Sequence, residues 1–140
     1  YSTELHKYSS LQIGYSDDSN ETFNLPKGHI DYGKQVAAYY YWVFPNMMFN
    51  FYPWGLSVNI VKPISINRTK VSFLTYIYDH SKLHKGAGND IDKVEREDEF
   101  IVENESKGIQ SSFYQAGRFS PTREKGVHHF QRLIAQFLDM

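Results

Sequence analysis

Between Val36 and Asp79 the chain is a series of aromatic and β-branched segments, each closed by a turn signal. Val36 to Phe44 reads VAAYYYWVF and stops at Pro45-Asn46. Met47 to Tyr52 stops at Pro53-Trp54-Gly55, and Leu56 to Lys62 stops at Pro63. Ile64 to Asn67 and Lys70 to Asp79 flank Asn67-Arg68-Thr69, a hairpin signature. Segments this short cannot be helices of useful length, and turns this tight join antiparallel neighbours. The expectation is an antiparallel meander, preceded by a short strand over Tyr8 to Tyr15 and a polar loop from Ser16 to Gly33. In Val71 to Tyr78, apolar side chains alternate onto both faces, so both faces are expected to be covered.

Beyond Asp79 the pattern changes. A polar, glycine-containing loop from His80 to Gly88 leads to Asn89 or Asp90, either of which can cap a helix running to about Ser111. After a loop from Gly117 to Gly126, Val127 to Leu138 reads as a terminal helix. Strands followed by helices make an α+β domain, and 140 residues suffice for one core. Eleven Tyr, ten Phe and two Trp suit a sheet with a lined cavity.

Charge and cysteine narrow the chemistry. The formal net charge is −1 with both signs interspersed, which gives no electrostatic footprint for nucleic acid or an anionic membrane. No apolar run approaches the ~20 residues of a membrane span. With no cysteine, disulfides, thiol nucleophiles and cysteine-held clusters are excluded within these residues. A cytoplasmic location is the default expectation. The chain starts at Tyr1 rather than Met, so a domain incomplete at its N-terminus is expected.

The first predicted helix carries one conspicuous residue. At roughly 100° per residue, Ile91, Val94, Ile101, Val102 and Ile109 fall on one stripe with Asp98 in its middle. Glu105 lies nearly on the same line, whereas Lys93, Arg96, Glu97 and Glu99 take other faces. A carboxylate on an apolar stripe must be paired, hydrogen-bonded or bound to a metal. Periodicity alone leaves two readings, a salt bridge to Arg118 or Arg123 and a metal ligand.

Three segments together carry a family resemblance. Phe44-Pro45-Asn46-Met47-Met48-Phe49-Asn50-Phe51-Tyr52-Pro53-Trp54, continued by Val58-Asn59-Ile60-Val61-Lys62-Pro63, is similar to the strand pair of Rieske-type non-haem iron oxygenase α-subunits. The choline monooxygenase-like branch is the nearest in pattern. Val94-Glu95-Arg96-Glu97-Asp98, with Glu103, Lys107-Gly108 and Ser111, resembles the family's long helix. Gly117-Arg118, Glu124 and His128-His129-Phe130 resemble the end of its catalytic domain.

The resemblance implies that residues 1–140 are the C-terminal part of an oxygenase catalytic domain. It implies a helix-grip, START-like fold, an antiparallel sheet wrapping a long helix. It also implies a mononuclear Fe(II) held by two histidines and a carboxylate, with Asp98 as the matching carboxylate. Val94, one turn earlier, would line the substrate pocket or be a plain core valine. A Rieske [2Fe–2S] centre on an absent N-terminal domain, O₂, a small aromatic or quaternary-ammonium substrate, an electron-donating reductase or ferredoxin and a homotrimer follow as further implications. The family's spaced histidine pair has no counterpart here, and Glu105-Ser106 replaces its usual Val-Gln.

Other candidates stand beside these. His80 and His84 have the spacing of a helical metal pair but lie in a loop. Adjacent His128 and His129 point apart on a helix, one inward and one outward. Tyr39, Tyr40, Tyr41, Trp42 and Trp54 are either an aromatic cage for a quaternary ammonium or alternating residues of a two-faced sheet. The rival to the oxygenase reading is a non-catalytic helix-grip module that binds a hydrophobic small molecule.

Overall fold

The computed structural model describes residues 1–88 and 90–139, with the side chains of Ile91 and Asp92 outside the description. Asn89, one of the two expected caps, therefore lies outside the described residues, as does the Ile91 position of the apolar stripe. One six-stranded antiparallel sheet runs in sequence order: β1 (Ser2–His6), β2 (Ser9–Tyr15), β3 (Val36–Val43), β4 (Met47–Tyr52), β5 (Gly55–Ser65) and β6 (Arg68–Ile77). The sheet is open, with β1 and β6 as its edges. Two helices follow, α1 (Ile91–Gly108) and α2 (Lys125–Leu138). The expected α+β meander is this architecture.

The strands differ from the reading by punctuation at Pro63, before β2, and at the β5–β6 connection, which is Ile66-Asn67 with Arg68 and Thr69 already in β6 rather than Asn67-Arg68-Thr69. Pro63 does not end β5; the strand runs on to Ser65, and the register with β6 shifts between Pro63 and Ser65. An irregularity of that kind lets a strand carry a residue that cannot donate to the ladder. β1 was not anticipated, because its sequence STELH has neither an apolar face nor a β-branched run. It pairs with β2 in register from Ser2↔Ile13 to His6↔Ser9.

The pleat divides the sheet chemically. Directly paired residues share a face, so Leu11, Tyr41, Phe49, Val58 and Leu74 form one row across five strands. On the opposite face the corresponding row is Gln12, Tyr40, Asn50, Ser57 and Thr75. The apolar face holds the main core. Leu11, Ile13 and Val36 are buried there, and Phe23 and Leu25 of the 16–35 loop pack over them with Tyr39 and Tyr41. Phe23 N–H donates to the Val36 carbonyl at 2.8 Å, which fastens that loop to β3.

The polar face is covered at its β1–β3 end by α2. Phe130 sits 4.8 Å from the Trp42 ring, and Phe137 sits 4.8 Å from Phe44 and 6.1 Å from Tyr8. Leu133 is the buried residue of that helix.

The expectation that both faces of the last strand are covered is not met within this chain. Phe73, Leu74, Tyr76 and Ile77 of β6 are all exposed, since the covering loop and α2 both sit at the other end of the sheet. Helix α1 does not bury its stripe either: Val94, Ile101, Val102 and Ile109 are all more than half exposed. It is tethered at its start, where Trp54 Nε1–H donates to the Ala87 carbonyl at 3.3 Å and Asp90 caps the helix through Lys93 N–H.

Candidate functional site

Asp98 lies in the middle of α1, one turn after Val94, and both side chains are exposed. Among the described residues Asp98 forms no ion pair with Arg118 or Arg123, so the salt-bridge reading is not realised here. Neither Asp98 nor Val94 lines the two cavities that the sheet forms. Among the described residues no three histidine, aspartate or glutamate side chains come together in a way that could hold a metal. Asp98 is an oxygen donor of the right type for Fe(II), but a lone carboxylate is not an iron site. The described residues do not make that site by themselves.

The larger cavity, about 610 Å³, opens on the apolar face beside β4–β6 and is bordered by Phe23, Phe51, Leu56, Tyr76 and Lys82. The second, about 330 Å³, lies between the polar face and the start of α2. Its sheet side carries Ser10, Gln12, Tyr40, Trp42 and Asn50, and its helix side carries Phe130 and Arg123. Beside it, Tyr40 meets Tyr52 edge-to-face at 5.9 Å, and Tyr52 stacks on Trp54 at 5.0 Å. Burial raises the ionisation of both phenols above the ordinary tyrosine value, so they remain neutral hydrogen-bonding groups at any physiological pH.

The five aromatic residues that could have formed one cage are divided. Tyr39 and Tyr41 pack against the core of the apolar face, while Tyr40 and Trp42 line the smaller cavity, which Tyr41 also borders. Trp54 is 0% exposed, and its indole N–H is directed to Ala87, so it holds the start of α1 rather than a ligand. Strand alternation, visible in the sequence, is the signal that separates them. His80 and His84 are in turns between β6 and α1, both exposed. His128 packs on Phe119 at 5.2 Å, and His129 turns inward with a buried Nε2.

Sequence reasoning passed over a buried cluster on the 26–35 loop. Asp31 is 5% exposed and accepts hydrogen bonds from Lys34 Nζ at 2.8 Å and Tyr39 Oη at 2.9 Å. The hydrogen bond from Lys34, opposed by burial and aided by Tyr39, holds its carboxyl below the usual aspartate range. Nothing in its local pattern signals this, because the burial comes from the loop folding over β3.

Comparison with known proteins gives the wider context. Residues 15–140 match the sequence profile described as "Ring hydroxylating alpha subunit (catalytic domain)". The chain is 33% identical to the chloroplastic choline monooxygenase of Arabidopsis thaliana, over 69% of this chain and 24% of that protein. It is 32% identical to that of Atriplex hortensis and 31% identical to that of Spinacia oleracea. Each of those alignments covers 95% of this chain, and they cover 33% and 34% of the two relatives. The chain thus spans about a third of the length of these relatives, or less. The relatives are chloroplastic proteins, which overturns the cytoplasmic expectation. With the match extending over β3–β6 and both helices, the chain belongs to the ring hydroxylating alpha subunit family, within its catalytic domain.

Proposed function

We propose that residues 1–140 are the C-terminal part of the catalytic domain of a Rieske-type oxygenase of the choline monooxygenase-like branch. The observation that carries this reading is the family match over residues 15–140, which takes in α1 and its Asp98. In this reading the fold is of the helix-grip, START-like kind. Asp98 supplies the one carboxylate ligand of a mononuclear Fe(II), whose two histidine ligands come from outside these residues. Val94 faces the substrate beside it. The exposure of Val94, Ile101 and Val102 fits a helix whose partner surface is supplied by the rest of the catalytic domain.

When bound, the Fe(II) would supply O₂ activation, with electrons delivered from a reductase or ferredoxin through a Rieske [2Fe–2S] centre, and subunits assembled as a homotrimer. The chain's own residues do simpler work. Gln12, Tyr40 and Asn50, which line the smaller cavity, offer hydrogen bonds to a polar substituent of a small aromatic or quaternary-ammonium substrate. Trp42 and Phe130 shield the cleft from water. Alone, the chain is expected to hydroxylate nothing.

The test is the coding sequence immediately upstream of the Tyr1 codon. The expected result is a spaced histidine pair, preceded further upstream by two Cys/His cluster motifs. A start codon a few residues upstream of Tyr1 would overturn the reading in favour of a free-standing module that binds a hydrophobic small molecule.

A further inference from the structure

The charges of the chain balance overall but not locally. From Val36 to Tyr78, the stretch that makes β3 to β6, there is no aspartate or glutamate, and the only lysines and arginines are Lys62, Arg68 and Lys70. All three sit in the β5–β6 hairpin where it runs past the rest of the sheet. Strand β4 pairs with β5 only as far as Met47↔Ile60. The last tie is at Val61, whose N–H donates to the Asn46 carbonyl at 2.9 Å and whose carbonyl accepts from Asn46 Nδ2 at 2.8 Å. Residues 62–71 beyond it are all exposed.

Strand alternation puts Arg68 and Lys70 on one face of this ribbon, and Lys70 stands directly opposite Lys62. Like charges so placed work against the pairing that holds them. Among the described residues no carboxylate forms an ion pair with any of the three. An anionic surface laid on that face would offset the repulsion. The end of the ribbon is apolar: Ile64 is 59% exposed and Ile66, in the turn, is 99% exposed. A convex apolar tip beyond a cationic face suits a bilayer interface, with the tip at the acyl boundary and the cations among the headgroups. A protein partner needs a pocket shaped to such a tip, whereas fluid lipid closes around it.

We propose that the β5–β6 hairpin docks on an anionic lipid surface. Ile64 and Ile66 enter the interface, and Lys62, Arg68 and Lys70 lie among the anionic headgroups. The docking element goes beyond the oxygenase reading, since it requires nothing of Asp98 or iron.

The test is co-sedimentation of the complete chain, as its gene encodes it, with two kinds of vesicle: phosphatidylcholine alone, and phosphatidylcholine mixed with phosphatidylglycerol. Binding is expected to the mixed vesicles only, and to weaken as salt is raised. Lys62→Gln combined with Lys70→Gln should weaken it by about 25-fold, roughly fivefold for each cation. Ile66→Asn should weaken it by about tenfold. Ile66→Trp should keep it and shift the tryptophan emission to the blue when vesicles are added. These positions are exposed, so the circular dichroism spectrum should be unchanged in each variant. Asp98→Ala should leave vesicle binding intact, which separates failure here from failure of the oxygenase reading. No binding to the mixed vesicles, equal binding to both kinds, or binding indifferent to the two lysine substitutions would each overturn the proposal. Charge-dependent binding that ignores Ile66→Asn and gives no emission shift with Ile66→Trp would overturn it too, and would favour an acidic protein surface as the occupant of the cationic face.

Discussion

At the scale of single residues, two aspartates exchange the roles that pattern suggests for them. Asp31, in a polar loop, is buried, with Lys34 and Tyr39 bonded to its carboxylate. Asp98, centred on an apolar stripe, is exposed. The loop residue is structural, because its partners tie the 26–35 loop to β3. Replacing it by Asn removes the charge from the Lys34 contact and leaves Tyr39 with a poorer acceptor, at a cost of about 1–3 kcal/mol.

The pH dependence follows from the direction of the shift. Asp31's carboxyl is held below its ordinary value in the folded chain, so its contribution is full above the unfolded-state value, about 3.9. It is lost as pH falls through the lower folded value. Urea unfolding should therefore show Asp31→Asn destabilised at pH 7, with the gap to the native chain narrowing below about pH 4. An equal gap at pH 7 and at pH 2 would contradict this assignment.

At the scale of elements, periodicity and turn chemistry are informative wherever neighbouring strands are local in sequence. The Met47–Tyr52 strand has the boundaries read from its flanking turns, because Pro45-Asn46 and Pro53-Trp54 close it on both sides. Where the outcome depends on a distant partner, the sequence is silent. β1 forms by pairing with β2 rather than by propensity, and β5 continues through Pro63 because β6 lies alongside it. The start of α1 was legible, with Asp90 one of two expected caps, and its end lies three residues before the expected Ser111; its burial was not legible, since an amphipathic stripe specifies an apolar partner without specifying which one.

Gly55 marks the tightest point of this framework. It pairs with both Tyr52 and Ile77, and a Cβ there would collide with the Tyr76 carbonyl oxygen. That obstacle is backbone and cannot swing aside, so Gly55→Ala must separate β5 from β6. A loss of about 1–3 kcal/mol, read as a lowered thermal midpoint by circular dichroism, is the expected result. An unchanged midpoint would show that the strand ends relax freely.

At the scale of the whole molecule, the chain is a sheet with two chemically distinct faces and an uneven cover. One end is closed by the 16–35 loop and by α2, while β6 and the α1 stripe expose apolar surface. Exposed apolar area of that extent on an edge strand and a neighbouring helix is unusual for a self-sufficient domain. It accords with relatives about three times as long. The family was legible in the sequence through Phe44 to Trp54 and Val94 to Asp98, whereas the Arg123 cleft was not. That cleft requires α2 to fold back over β1–β3, and no local pattern encodes this return.

The proposed role of Asp98 is that of carboxylate ligand to iron once the chain is extended upstream. Its most direct test is electron paramagnetic resonance of the nitric oxide adduct of mononuclear Fe(II), in the chain extended upstream, with and without Asp98→Ala. If Asp98 is that ligand, the substitution abolishes the iron–nitrosyl signal while the signal of the reduced Rieske centre persists. An iron–nitrosyl signal of equal intensity in both proteins would contradict it.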